Sequence, residues 1–190
     1  MEKLVQALSF GGVLSERDIE IVANSFRIKE LKSGEYFQES GNPADKIVFV
    51  EKGILRVYRR DEKGNDVTKY FIRENRFFAD MISYYSAQPA ADSIESVISS
   101  KICWICSKVF EKLMHEIPNL LIFFKSVSES TLLNKLKDND FLNFGSAKTK
   151  YLEFVKRYPE LSLQVPQQHI ASYLKITPQS LSRIRSEILK

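Results

Sequence analysis

The residues best suited to chemistry are neither nucleophiles nor metal ligands. They are hydrogen-bonding side chains in a basic C-terminal run, HIASYLKITPQSLSRIR, from His169 to Arg185. Within it Ile170, Leu174, Ile176, Leu181 and Ile184, with the small Ala171, fall where the inner faces of two short helices would meet across a tight turn. The first helix is expected from about Pro166 to Leu174. Thr177 then offers an N-cap hydroxyl, and Pro178 occupies a first helical position, where a missing N–H loses no bond, so a second helix starts there. Its free face would show Gln179, Ser182 and Arg183. Gln can bond adenine bidentately and Arg can bond guanine O6 and N7, so the pattern suits base edges in DNA. The competing reading is an ordinary helical hairpin inside a globular core. Two features weigh against it: the second helix opens on short polar residues instead of acids, and the local charge is lopsided. From Ser146 to Lys190 there are 8 Lys or Arg against 3 Asp or Glu, while the whole chain carries +4, so the first 145 residues carry −1. A basic module on a near-neutral body is the footprint of phosphate binding.

Other reactive residues point elsewhere less strongly. Cys103 and Cys106 have C-W-I-C spacing, but on a strand residues three apart face opposite ways and the sulfurs cannot meet. Two thiols are also too few for an iron–sulfur cluster or a closed zinc site. His115 and His169 lie far apart within helical patterns and read as packing or surface residues. No metal site and no cofactor are expected, and an enzyme is not. At 190 residues with 44% hydrophobic content the chain can hold one medium domain and a small one. No apolar run approaches the roughly 18 residues that span a bilayer, so no membrane partner and a cytoplasmic location are expected.

The elements that must position the C-terminal run read as follows. A short helix reaches about Leu8, and Ser15 caps a helix through about Ser25 with Asp18 completing a capping-box-like pair. Strand signals then cover Lys46 to Val50, Ile54 to Tyr58, Val67 to Ile72, Ser93 to Ile98 and Lys101 to Ile105, punctuated by Gly53 and by the turn Lys63, Gly64, Asn65. Many short strands without crossover helices predict a β-sandwich or jelly roll. Ser107 begins a helix to Glu116, and Pro118 restarts a longer one to about Asn139. On it Leu120, Phe124, Val127 and Thr131 recur at spacings of four and three, a seam for a partner helix, while Leu121, Ile122, Phe123 and Leu132 could pack on the chain's own barrel. Asn143, Gly145 and Ser146 make a hinge, and Lys148 to Tyr158 is helical with Tyr151, Phe154, Val155 and Tyr158 on one face.

In this order the parts resemble the Crp/Fnr family of bacterial transcription regulators over nearly the whole chain. The stretch LKSGEYFQESGNPADKIVFVEKGILRVYR, Leu31 to Arg59, looks like the start of the family's cyclic-nucleotide-binding fold, with Gly34, Glu35, Gly41 and Gly53 at turns, and ITPQSLSRIR looks like its recognition helix. The resemblance implies an α+β chain. Residues 1–117 would form a double-stranded β-helix, that is a jelly-roll sensor domain, 118–145 a dimerisation helix and hinge, and 146–190 a winged helix-turn-helix. It implies a homodimer through the helix 118–139, double-stranded DNA and RNA polymerase as partners, and a DNA-facing set of Gln168, Lys175, Thr177, Pro178, Gln179, Ser180, Ser182 and Arg183. Thr177 and Ser180 would meet phosphates. Lys175 stands where the family often has Gly, so a left-handed turn there would cost about 1–2 kcal/mol, which a contact from Lys175 to a phosphate would partly offset.

The sensor half departs from the family. Nucleotide-binding members hold the cyclic phosphate with a Gly-Glu pair, whose Glu takes the ribose hydroxyl, and an Arg-Ser-Ala run, whose Arg pairs with the phosphate. Here Ala79 and Asp80 replace the first, and Ala91, Asp92 and Ser93 the second. The candidate effector pocket is therefore Phe78, Asp80, Met81, Ala91, Asp92 and Ser93, with Tyr84, Tyr85, Ser86 and Gln88 as further lining or loop. No Lys or Arg lies between Arg76 and Lys101, so a phosphate would lose its charge-assisted bonds and face Asp92. The expected effector is something other than cyclic AMP, or none. Three alternatives stay open: unorthodox binding of cyclic AMP or GMP, a regulator working only through protein partners, and a metal-dependent cupin-like protein, against which no expected strand carries a His. The departure predicts no micromolar binding of cyclic AMP or cyclic GMP in calorimetry, and a micromolar isotherm for either would overturn it.

Overall fold

The computed structural model describes residues 1–86 and 88–188. Two short helices open the chain, α1 (Glu2–Ser9) and α2 (Glu16–Asn24). The Ser15 hydroxyl accepts from the Asp18 N–H at 3.2 Å and donates to its carboxylate at 2.7 Å, the reciprocal cap expected from sequence. Eight strands follow: β1 (Arg27–Leu31), β2 (Tyr36–Gln38), β3 (Lys46–Lys52), β4 (Leu55–Arg60), β5 (Asp66–Ile72), β6 (Phe77–Ala79), β7 (Ser93–Ser96) and β8 (Ser100–Cys106), with helix α3 (Met81–Ser86) between β6 and β7. They form two antiparallel four-stranded sheets in the orders β1-β8-β3-β6 and β2-β7-β4-β5. This is the jelly roll that the strand spacing predicts.

Leu31, Val48, Val50, Leu55, Val57, Ile72, Ile94 and Ile102 fill the space between the sheets. The alternation of β4 places Leu55 and Val57 inward and leaves Arg59 next in that row at the mouth of the roll. Gly53 turns β3 into β4 at φ +103°, and a Cβ there would lie 2.7 Å from the Ser100 Cα, so both backbone conformation and space require glycine. On the outer face of the first sheet, Phe49, Cys103 and Ile105 pack with α1, α2 and the next helices, α4 (Ser107–Glu116) and α5 (Pro118–Phe144). Cys103 is buried and Cys106 lies at the strand's end, both as free thiols.

Helix α5 runs five residues past the expected end at Asn139, and Gly145 and Ser146 alone make the break. Four helices complete the described chain: α6 (Ala147–Arg157), α7 (Pro159–Gln164), α8 (Gln167–Tyr173) and α9 (Pro178–Ile188). Helix α7 was not foreseen; Pro159 at its first position starts it as Pro118 starts α5. The described residues from Ala147 to Ile188 include no strand, so the expected wing is not seen among them.

The helical half packs directly against the roll. Ile54 and Val97, at the end of the sheets, join Phe141, Tyr151, Phe154, Ile170, Ala171, Leu174, Leu181 and Ile184 in one core. Along the seam the Ser172 hydroxyl accepts from the Thr68 N–H at 2.9 Å, and Arg73 pairs with Glu160 at 2.6 Å. Arg56, 1% exposed, pairs with Asp66 at 2.9 Å and Glu95 at 3.1 Å, stacks on Tyr58 and donates to Nδ1 of His169 from α8. Burial first, and then the Arg56 guanidinium, hold the His169 imidazole down to about 4, with Asp66 acting the other way. Folding therefore favours the neutral ring. Between the ordinary value near 6.5 and about 4 the unfolded chain binds the extra proton, so stability falls as pH drops through that window. Urea unfolding should show the native chain losing more stability from pH 7 to pH 5 than His169→Gln, and equal losses would remove His169 as the cause.

Candidate nucleic-acid interface and sensor cleft

Helices α8 and α9 form the expected hairpin. The Thr177 hydroxyl oxygen accepts from the Ser180 N–H at 3.1 Å and lies 2.9 Å from the Ser180 hydroxyl, so this pair caps α9. Leu181 and Ile184 anchor the helix in the core, which turns Gln179, Ser182 and Arg183 outward together with Ser186. Gln168, Thr177 and Pro178 are exposed near the same end, whereas Ser180 is half-buried. The turn itself is left-handed at Lys175, φ 56°, as its substitution for glycine predicts. The Lys175 ammonium donates to the Asn143 Oδ1 at 2.8 Å, which ties the turn to the end of α5.

A carboxylate holds the hairpin in place. Asp138 on α5 accepts from the Tyr158 hydroxyl at 2.6 Å and the Tyr173 hydroxyl at 3.1 Å, and pairs with Arg157 at 3.3 Å. Burial, aided by Asp138, raises both tyrosines above their ordinary range, so they stay protonated donors. Nothing in the sequence pattern singles out Asp138, because its partners come from the end of α6, the residue that links it to α7, and α8.

The six residues of the expected effector pocket are only partly brought together. Phe78 and Met81 line a cleft of about 370 Å³ between β6, α3, α4 and α5, along with Phe77, Tyr84, Phe110, Phe124 and Lys135. Asp80 instead caps α3, its carboxylate accepting from the Ser83 N–H at 3.1 Å. The Ala91 carbonyl and the Ser93 hydroxyl bond Ser40, which fastens the cassette to the loop after β2. Asp92 is buried, and each of its oxygens takes one cation at 2.6 Å: Arg59 from β4 on Oδ1 and Lys69 from β5 on Oδ2. The cassette does lack its own arginine, but the expectation that an anion there would meet Asp92 uncompensated is corrected. The cations come from β4 and β5, outside the stretch between Arg76 and Lys101.

The apolar face of α5 is also reassigned. Leu120 is fully buried in the chain's own core, and Phe124 packs on Phe110 and Phe77 at 4.4 and 5.1 Å between centroids, so this side of the helix serves the barrel. Phe123 is buried as expected. Leu121, Ile122, Leu132, Leu133 and Leu136, each 54–58% exposed, make the free apolar strip. Both rows satisfy the same spacing, and only the direction in which the helix leaves α4 decides which row faces inward.

Comparison with known proteins agrees with this geometry. Residues 28–116 match the sequence model of the cyclic nucleotide-binding domain. No curated protein matches the sequence. Among solved structures, FixK2 from Bradyrhizobium japonicum is similar at 18% identity and TM-score 0.71, over 86% of this chain and 84% of that one. The c-di-GMP responsive global regulator CLP from Xanthomonas campestris gives 13% and 0.73, over 92% of each chain. A Eubacterium rectale protein assigned to the Crp/Fnr family of transcriptional regulators gives 12% and 0.72, over 97% and 88%. Residues 28–116 are thus similar to the cyclic nucleotide-binding domain, and from that roll through the long helix to the terminal hairpin the chain shares the fold of these solved structures.

Proposed function

We propose that this protein is a DNA-binding transcription regulator of the Crp/Fnr type, working in the cytoplasm with RNA polymerase and not as an enzyme. One observation carries the reading. Helix α9 buries Leu181 and Ile184 and turns a polar face of Gln179, Ser182, Arg183 and Ser186 to solvent, in a segment with a net charge of +5. Gln179 and Arg183 read base edges, and Lys175, Gln168 and the N-terminal end of α9 around Thr177 and Pro178 approach phosphates. The Thr177 and Ser180 hydroxyls cap the helix and leave the phosphate to backbone N–H groups. Residues 1–117 act as the sensor, 118–145 as the pairing helix and 146–190 as the reader.

The active form is a homodimer paired along Leu121, Ile122, Leu132, Leu133 and Leu136. Such a dimer sets two recognition helices about 34 Å apart on a near-palindromic site. Gel-shift titration at two salt concentrations should show a complex that weakens steeply with salt. On a selected site Arg183→Ala should cost about 1–3 kcal/mol and relax the guanine preference, and unchanged binding would remove Arg183 from the reading set. The double variant Leu133→Glu, Leu136→Glu should sediment as a folded monomer and lose cooperative operator binding. A variant that still sediments as a dimer would place the pairing surface elsewhere.

A further inference from the structure

The mouth of the β-roll holds three cations from three elements around one buried carboxylate. Arg59 and Lys69 each contact a different oxygen of Asp92 at 2.6 Å. Lys135 reaches in from α5 and rests on the Tyr70 ring, 4.1 Å from its centroid, with no ion pair of its own among the described residues. Burial first, then Lys69, lower the affinity of the Lys135 ammonium for its proton, while Asp80 and Asp92 raise it. The local balance is Arg59, Lys69 and Lys135 against Asp92 and Asp80, an excess of one positive charge. The arrangement has the chemistry of a carboxylate or phosphate receptor, and the anion in it belongs to the chain. Asp92 sits on a cassette fastened through Ser40, so it is presented to Arg59 and Lys69 at an effective concentration that a free ligand at millimolar levels does not match.

We propose that Arg59, Lys69 and Lys135 form an anion-binding site occupied by Asp92 as a built-in ligand, so that the native roll is closed to organic phosphates and opens to them when the Asp92 charge is removed. The site takes a small phosphate-bearing molecule whose apolar part extends along Phe78 into the adjoining cleft, which Lys135 also lines. This goes beyond the reading of the protein as a regulator and uses no DNA in its test, so either can fail without the other.

Asp92→Asn keeps the shape of the side chain and removes its charge, and Asp92→Ser clears more space. Calorimetry and thermal unfolding are run on the full chain with pyrophosphate and with cyclic AMP as probes. The native chain should show no binding and no shift in Tm. Both variants should bind at least about tenfold more tightly than the native chain and should melt higher with probe than without it. Adding Arg59→Gln to Asp92→Ser should abolish that gain. The proposal is overturned if the native chain binds either probe as well as the variants do, or if folded variants bind neither. It is also overturned if the gain survives Arg59→Gln, or if neither Asp92 variant folds, since the triad would then be a structural clasp alone.

Discussion

The structure turns on one buried guanidinium. Arg56 sits on β4 in the middle of the second sheet, where a charge without partners would be expensive, and it is held only because Asp66, Glu95 and the Tyr58 ring surround it. Its Nη1 group donates to His169, a residue of the helical half, while its Nε makes no hydrogen bond among the described residues. Covering that charge on the outer face of β4 and docking α8 onto the roll are therefore the same event. Burial raises the Glu95 carboxyl while Arg56 lowers it, so the acid and the imidazole both depend on the same cation. The two halves of the chain are joined by electrostatics that neither could satisfy alone.

Helix α5 connects the other two features of the molecule. Lys135 and Asp138 are three residues apart and so lie near each other on the helix surface. The first reaches the mouth of the roll at Tyr70, and the second gathers Arg157, Tyr158 and Tyr173 beneath the terminal hairpin. A change of charge at the cassette and the seating of the hairpin thus bear on adjacent residues of one rigid element.

Much of this was legible in the sequence. The helices capped by Ser15 and Thr177 and five of the strands carry strong local signals, and the resemblance implies the left-handed turn at Lys175. The strands that went unforeseen, β1, β2 and β6, are short or mostly exposed: in β1 only Leu31 is buried, and Ile28 points to solvent, so alternation gives no cue. The face of α5 was misassigned because two apolar rows share one period, and position relative to α4 and β3 decides between them. Arg59 and Lys69 escaped notice for a related reason. Their partner Asp92 is 33 and 23 residues away, and only the closing of β4, β5 and β7 into one sheet brings them together. Residues read from local pattern were found, and residues defined by long-range closure were not.

The geometry of α5 near its end separates two tasks. Leu136, on the free strip, and Asp138, under the hairpin, are two residues apart, which on a helix of 3.6 residues per turn is a rotation of about 200°. The exposed apolar strip and the carboxylate that seats the terminal hairpin therefore lie on opposite sides of the same turn. Under the proposed function, pairing and DNA reading are served from opposite sides of α5, so a change in one need not disturb the other.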